Sequence, residues 1–369
     1  MQYAFVLGAH PKLSAAEIKA VLPQASVVSQ TDAFLILETA PFKPQVMQSR
    51  LGGTIKIAEV LEGGITKETI VSELKKVEIS GKLKFGVSYY HCQPDTLGME
   101  VKGELKKLGL SIRLVTGRDK ALSSVIVTKN KVHEFLVLEN KYLAKTFAVQ
   151  DFEKYSTRDY GRPERDMKSG SLPPKLAKMM INLSGADISQ TLLDPFCGSG
   201  TVLQEALLLG FTSVIGTDKS QKAVDDTNKN LEWLLANDKS RVATTYKVFQ
   251  SDVSTLSAQL GSASIDVIVT EPYLGPPLRE LPDRKTLAAT VDELTVLYQT
   301  AFTEFTRVLR PGGTVVFIFP SFKVGSVVLA PQLDEAIKKL GFTQVNETPL
   351  LYGRTGQKVF RDIKVFRFS

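Results

Sequence analysis

The residues able to do chemistry cluster in the second half of the chain, around residues 191–201, T-L-L-D-P-F-C-G-S-G-T. An apolar pair, Leu192 and Leu193, leads into Asp194. A Pro195-Phe196-Cys197 turn follows, then Gly198-Ser199-Gly200 and Thr201. Beyond Thr201 the pattern V-L-Q-E-A-L-L-L becomes helical and stops at Gly210, a helix C-cap position. A strand, a glycine-rich turn and a helix N-terminus make a cradle, because small residues let the backbone approach a ligand. Leu203 stands where a G-x-G-x-x-G fingerprint needs its third glycine, so a dinucleotide fingerprint fails. Asp194 would repel a pyrophosphate and favours a cation. The alternative is a structural glycine turn in some other α/β domain.

Two further carboxylates end strand-like runs. S-V-I-G-T-D closes on Asp218, and Y-K-V-F-Q-S-D closes on Asp252. At consecutive strand ends, Asp218 suits a pair of ribose hydroxyls and Asp252 an adenine amino group. Either would alternatively cap the helix that follows, at Ser220 and Ser254. The next run, D-V-I-V-T-E-P-Y-L-G over residues 266–275, carries Glu271, Pro272 and Tyr273 out of a fourth strand.

The eight residues D-P-F-C-G-S-G-T resemble motif I of amino-group methyltransferases. The resemblance implies S-adenosyl-L-methionine as cofactor, whose sulfonium and ammonium fit the acidic setting. It would lie among Asp194, Phe196, Gly198, Gly200, Thr201, Asp218, Asp252 and Pro174. The same family places [D/N]-P-P-[Y/F] after its fourth strand. Aligned on Thr270 and Gly275, this chain has Glu271 at the acidic position, then Pro272, Tyr273 and Leu274. An exocyclic amine is a poor nucleophile because its lone pair is delocalised into the base. A side-chain oxygen and a backbone carbonyl that accept its N–H groups favour a pyramidal nitrogen, and an aromatic ring stacks on the base. Glu271 keeps the acceptor with one more methylene, and Tyr273 supplies a ring one residue early. The expected catalytic set is therefore Glu271, Pro272 and Tyr273.

The elements that must position these residues alternate strand and helix over 186–369, as in a parallel sheet. A long helix leads to V-L-R-P-G-G and the strand T-V-V-F-I-F. The end of the chain, F-T-Q-V-N-E-T-P-L-L-Y and K-V-F-R-D-I-K-V-F-R-F, reads as a hairpin. Before the glycine loop, two prolines open a helix with Leu176, Met179, Met180 and Leu183 on one face. Residues 1–60 read as a small β-α-β module, with a helix starting at Ser14 and Glu17 completing a capping box. Over 62–155, F-G-V-S-Y-Y, S-I-R-L-V, L-S-S-V-I-V-T-K-N and E-F-L-V-L read as strands. M-E-V-K-G-E-L-K-K-L-G reads as a helix closing at Gly109.

The net charge of +7 is uneven: residues 101–133 carry +6 of it. The basic residues there are Lys102, Lys106, Lys107, Arg113, Arg118, Lys120, Lys129 and Lys131. A concentrated basic surface suits a polyanion, the alternative being a solvated charged face. G-L-S-I-R-L-V followed by L-S-S-V-I-V-T-K-N-K resembles the THUMP RNA-binding domain, which makes the implied polyanion tRNA. Residues 150–185 resemble the linker and motif X of THUMP-containing tRNA guanosine-N2 methyltransferases, and Arg162 and Arg165 there join the expected RNA-binding set.

The resemblance implies an α/β fold: a Rossmann-like class I methyltransferase with a seven-stranded sheet and an antiparallel last strand. An α+β ferredoxin-like/THUMP region precedes it. The expected domains are 1–60 ferredoxin-like, 61–155 THUMP, 156–175 linker and 176–369 methyltransferase. The implied activity is methyl transfer from S-adenosyl-L-methionine to N2 of a guanosine, guanosine 10, in tRNA. A DNA amino-methyltransferase and a non-catalytic RNA-binding protein with a decayed site are the alternatives. An activator subunit or a homodimer is left open. Cys92 and Cys197 make no disulfide framework, and His10, His91 and His133 lack metal-ligand spacing, so no metal is expected. The apolar run Tyr3–Ala9 lacks a preceding basic region, and no segment has membrane-spanning length, so a cytoplasmic protein is expected.

Overall fold

In the computed structural model, every residue is described except 79–80, 166–170, 238–244, 279–282, 325–326, 347 and 354–355. The expected linker 156–175 therefore falls partly outside the described residues. The chain divides into two compact units, Met1–Asp151 and Phe152–Ser369.

The first unit runs β1 Gln2–Leu7, α1 Pro11–Val21, β2 Ser26–Gln30, β3 Phe34–Glu38, α2 Pro44–Arg50 and β4 Thr54–Val60. It continues with α3 Lys67–Lys75, β5 Leu83–Tyr90, α4 Leu97–Lys107, β6 Ile112–Leu114, α5 Ser124–Asn130, β7 His133–Leu138 and β8 Tyr142–Val149. All eight strands join one sheet in the order β2-β3-β1-β4-β8-β7-β5-β6. The sheet runs through residue 60 without a break, because β4 pairs antiparallel with both β1 and β8. A buried polar knot holds its centre. Lys56 of β4 donates to Glu134 Oε1 and to the Leu122 carbonyl, both at 2.6 Å. Ser88 and Thr146 donate to the same carboxylate at 2.5 and 2.9 Å. With both charges paired and hydrogen-bonded, the cost of desolvating them is offset and the pairing of four strands is specified.

Two sequence readings in this unit are corrected. L-S-S-V-I-V-T-K-N is helix α5, not a strand: Ser123 Oγ accepts from Ile126 N, and Lys131 ends the helix with φ 51°. Capping at both ends outweighs the β-branched composition. Helix α1 begins at Pro11, not Ser14. Glu17 is no capping-box acid, since its buried carboxylate accepts from Gly52 N and Gly53 N, at 2.7 and 2.8 Å.

The second unit runs α6 Phe152–Tyr160, α7 Pro174–Leu183, β9 Thr191–Asp194, α8 Thr201–Leu209, β10 Ser213–Asp218, α9 Gln221–Asn237 and β11 Thr245–Gln250. There follow α10 Leu256–Gln259, β12 Ile265–Thr270, α11 Arg284–Val308, β13 Leu309–Val324 and β14 Val327–Leu329. The last elements are α12 Asp334–Lys339, β15 Phe342–Gln344, β16 Leu350–Tyr352 and β17 Val359–Phe368. The sheet order is β11-β10-β9-β12-β13-β17-β15, with β14 on β13 and β16 on β17. Strands β9 to β13 are mutually parallel, and β17 is antiparallel to β13 and to β15. This is the seven-stranded order with a reversed last strand that the resemblance implied. Helix α11 packs Tyr298, Phe302 and Phe305 against Phe317 and Phe319 of β13, with Tyr298 edge-on to Phe317 at 5.0 Å. Strand order reverses between β9 and β12, which opens a crevice at their carboxyl ends. Among the described residues no helix is long and apolar enough to cross a membrane.

Candidate active site

The carboxyl ends of β9, β10, β11 and β12 surround a cavity of about 920 Å³, within the size range of small-molecule sites. Asp194, Asp218, Asp252 and the stretch Glu271–Gly275 all line it. The strand-end reading thus brings together four acids spread over nearly eighty residues of sequence. Phe196, Gly198 and Thr201 are on the wall as well, together with Arg165.

The glycine loop is strapped from below. Cys197 N donates to the Thr217 carbonyl at 2.9 Å, and Thr227 Oγ1 of α9 donates to the Gly198 carbonyl at 2.8 Å. Asn230 Nδ2 donates to the Ser199 carbonyl at 2.8 Å. Gly200 takes φ 81°, and a Cβ there would stand 2.8 Å from Thr227 Cγ2, so the turn admits no side chain. Gly198 differs. It lines the cavity with φ 53°, and a Cβ on it would meet only the Phe196 carbonyl, at 4.0 Å. The space beside this backbone is open for a ligand.

Asp218 uses both oxygens locally: Oδ1 accepts from Ser220 N at 2.9 Å and Oδ2 from Gly198 N at 3.1 Å. Asp252 caps the following turn by accepting from Ser254 N at 2.9 Å, and that bond holds its carboxyl below the ordinary range. The capping alternative is realised for Asp252 alone, since α9 starts at Gln221 and Ser220 Oγ accepts from Ala223 N at 3.4 Å; the local bonds nevertheless fix both carboxylates on the cavity wall. Each Asp218 oxygen still has a second lone pair to offer, whereas Asp252 Oδ1 also accepts from Ser254 Oγ at 2.7 Å and leaves its Oδ2 for a ligand.

Asp194 is buried, and its Oδ1 accepts from Thr270 Oγ1 at 2.6 Å and Phe196 N at 3.1 Å. Burial lifts its carboxyl from 3.8 to about 7, against the pull of those two bonds. Between these values the folded protein holds a proton that the unfolded chain has released, so this group lowers stability as pH rises through the window. Asp194→Asn keeps an acceptor and abolishes the charge. Its stability relative to wild type should climb from about pH 4, level off above pH 7, and gain on the order of 4 kcal/mol across that window. Thermal unfolding of both proteins from pH 4 to 8 checks this; a pH-independent difference would remove the assignment. A site that raises the cost of its own carboxylate is one that a cationic ligand relieves.

Glu271 leaves β12 and is half-buried. Its Oε1 accepts from Arg361 Nε at 2.5 Å. Tyr273 is 49% exposed, and its carbonyl accepts from the buried Tyr298 hydroxyl at 2.7 Å, which anchors the stretch to the aromatic core. Pro272 is buried beside it. Neither Arg361 nor Tyr298 was found from the sequence, since no local pattern marks them.

Three expected positions stand elsewhere. Gly200 and Pro174 are not on the cavity wall: Gly200 shapes the turn behind it, and Pro174 is buried at the first turn of α7, leaving Ser171 and Leu172 as wall residues. Arg162 is 3% exposed and donates from Nη1 to Thr201 Oγ1 at 2.6 Å. That corrects its expected role, because a buried guanidinium cannot meet an RNA phosphate at the surface. Of the other basic residues, Lys106, Lys107, Arg113, Arg118, Lys120, Lys129 and Lys131 are exposed and Lys102 is half-buried, all in the first unit. Among the described residues no group of acids, histidines or cysteines is arranged to hold a metal.

A family model, the RMKL-like methyltransferase domain UPF0020, matches residues 162–346. The chain is 27% identical over 273 residues to a tRNA (guanine(10)-N2)-dimethyltransferase of Methanothermobacter thermautotrophicus, covering 72% of this chain and 75% of that one. It is 25% identical over 329 residues to the protein of the same name from Pyrococcus abyssi, covering 87% and 89%. Among solved structures, TrmN from Thermus thermophilus superposes with a TM-score of 0.53 at 17% identity over the whole of both chains, a likeness of fold. The matched segment contains the glycine loop, the strand-end acids and Glu271, and by it the chain belongs to the UPF0020 family of methyltransferases.

Proposed function

We propose that this methyltransferase transfers a methyl group from S-adenosyl-L-methionine to the exocyclic N2 of a guanosine in tRNA, guanosine 10 by analogy with the names of its relatives. One observation carries the reading: an acceptor for an amine, Glu271, shares a cavity with a glycine cradle and with three more carboxylates that each accept from a backbone N–H. S-adenosyl-L-methionine, when bound, supplies an electrophilic methyl on a cationic sulfur. The residues fit such a group: Gly198 leaves open space at the backbone, Asp218 and Asp252 offer hydroxyl and amine acceptors, and Asp194 answers positive charge. Glu271 accepts from the target amine and orients its lone pair, and the Tyr273 ring at the cavity mouth stacks on the base.

The first unit serves as the RNA-binding half, with its basic residues on RNA phosphates in the manner of the THUMP region that the sequence resembles. Neutralising Lys106, Lys107 and Arg113 together is expected to weaken tRNA binding and flatten its salt dependence by roughly 2–3 units of log K per log salt. Cofactor affinity should be unchanged. An unaltered slope in a salt titration would make the cluster a solvated face.

The deciding assay offers labelled S-adenosyl-L-methionine with unmodified tRNA or with DNA, followed by digestion and identification of the labelled nucleoside. N2-methylated guanosine from tRNA is the expected product. Label in DNA adenine or cytosine, or no transfer at all, would replace this reading with a DNA enzyme or a non-catalytic binder. A cytoplasmic enzyme follows from the tRNA substrate.

A further inference from the structure

The last long strand contributes the one cation found against the amine acceptor among the described residues. Arg361 lies on β17, opposite Pro320 on one side and Tyr352 on the other, which carries it to the end of the sheet where Glu271 emerges. Both side chains line the cavity and are about equally exposed, at 16% and 15%. Their bond uses Arg361 Nε and Glu271 Oε1. Among the described residues, the two Nη groups of Arg361 and Oε2 of Glu271 have no further partner. A guanidinium fork and a carboxylate oxygen therefore stand side by side on the wall, donors next to acceptor.

That pattern has one good complement among amine-bearing bases. Guanine presents two adjacent donors, N1–H and N2–H, and then an acceptor, O6. Adenine and cytosine each place an acceptor nitrogen directly beside the amine, so a carboxylate that takes their amine proton also faces a lone pair. We propose that Arg361 is a specificity-determining residue for the target base: its guanidinium donates to guanine O6 while holding Glu271 in place to accept from N1–H and N2–H. The inference rests on the N2-guanosine reading above and adds how the base is told apart.

The test uses the full-length protein and two RNAs. One is a tRNA transcript containing the guanosine that the wild type methylates; the other carries 2-aminopurine at that position, which keeps the N2 amine but lacks O6 and N1–H. Wild type is expected to be about 100-fold slower on the 2-aminopurine RNA, since contacts to both atoms are lost. Arg361→Gln should lower kcat on guanosine about tenfold or more with the KM for tRNA unchanged, and its penalty for 2-aminopurine should shrink about tenfold. Both proteins keep Glu271, so the N1–H contribution divides out of that ratio. Arg361→Lys, whose ammonium cannot fork between Glu271 and O6, should fall between the two. If Arg361→Gln does not fold, the ratio for Arg361→Lys decides in the same way. An unchanged penalty in the folded variant, or equal wild-type rates on the two RNAs, would overturn the proposal and leave the pair as a latch for β17. Absence of N2-methylguanosine from wild-type reactions would instead strike the underlying functional reading.

Discussion

Replacing Glu271 by Ala is expected to slow methyl transfer about 10²- to 10³-fold, the loss that follows removal of one preorganised transition-state partner. The effect belongs in kcat, because the carboxylate orients an amine that gains positive character only as the new bond forms. Glu271→Gln retains size and one acceptor oxygen, so it should fall less far without losing all turnover. Glu271→Ala also strands the Arg361 guanidinium that the carboxylate pairs at 2.5 Å, so KM should rise, but only slightly beside the loss in kcat. Tyr273 separates positioning from stacking. Its ring is the half-exposed part and its carbonyl is held by Tyr298, so Tyr273→Phe keeps both contacts and should be mild. Tyr273→Ala removes the ring and should be severe. Single-turnover rates with tRNA, beside calorimetry of cofactor binding, check all four variants. Equal turnover by wild type and Glu271→Ala would remove the catalytic role. Cofactor binding with no transfer from wild type to any tRNA would favour a decayed site.

The contiguous parts of this site were legible in the sequence. Asp194, the glycine loop and Thr201 lie within eight residues, and a strand–turn–helix needs only local chemistry to form. Asp218, Asp252 and Glu271 were legible because each ends an apolar run, and parallel strands bring their carboxyl ends to one edge. Arg361 was not, since it reaches Glu271 across ninety residues through the register of β17 on β13, which no short pattern encodes. Tyr298 escaped for the same reason, one aromatic among several on a long helix. The misread α5 shows the opposite failure. S-V-I-V-T has the composition of a strand, yet only Val127 of its apolar residues is buried, and end caps decide the conformation. Arg162 was misplaced because an Arg-rich stretch looks solvated until packing shows which guanidinium turns inward.

Asp218→Ala should be the most damaging single change to cofactor binding. In the proposed function its carboxylate, which lines the cavity, accepts two ribose hydroxyls, and each bond to a charged acceptor is worth about 1.5–3 kcal/mol. Together they predict a loss of roughly 3–6 kcal/mol, or about 10²- to 10⁴-fold in Kd. The structure adds a second reason for a large effect: the same carboxylate accepts from Gly198 N at 3.1 Å, so the alanine frees the loop whose backbone must lie against the ligand. Asp218→Asn keeps an oxygen for Gly198 or for one hydroxyl but not the charge, and should lie between. Asp252 offers a useful contrast. It is exposed and already satisfied by Ser254 N, so Asp252→Ala removes a single contact and should cost about 1 kcal/mol. Calorimetry with S-adenosylhomocysteine ranks the variants without any turnover. If Asp218→Ala binds as tightly as wild type, the ribose assignment fails; if Asp218 and Asp252 rank the other way, the ribose lies against the wrong strand end in this reading.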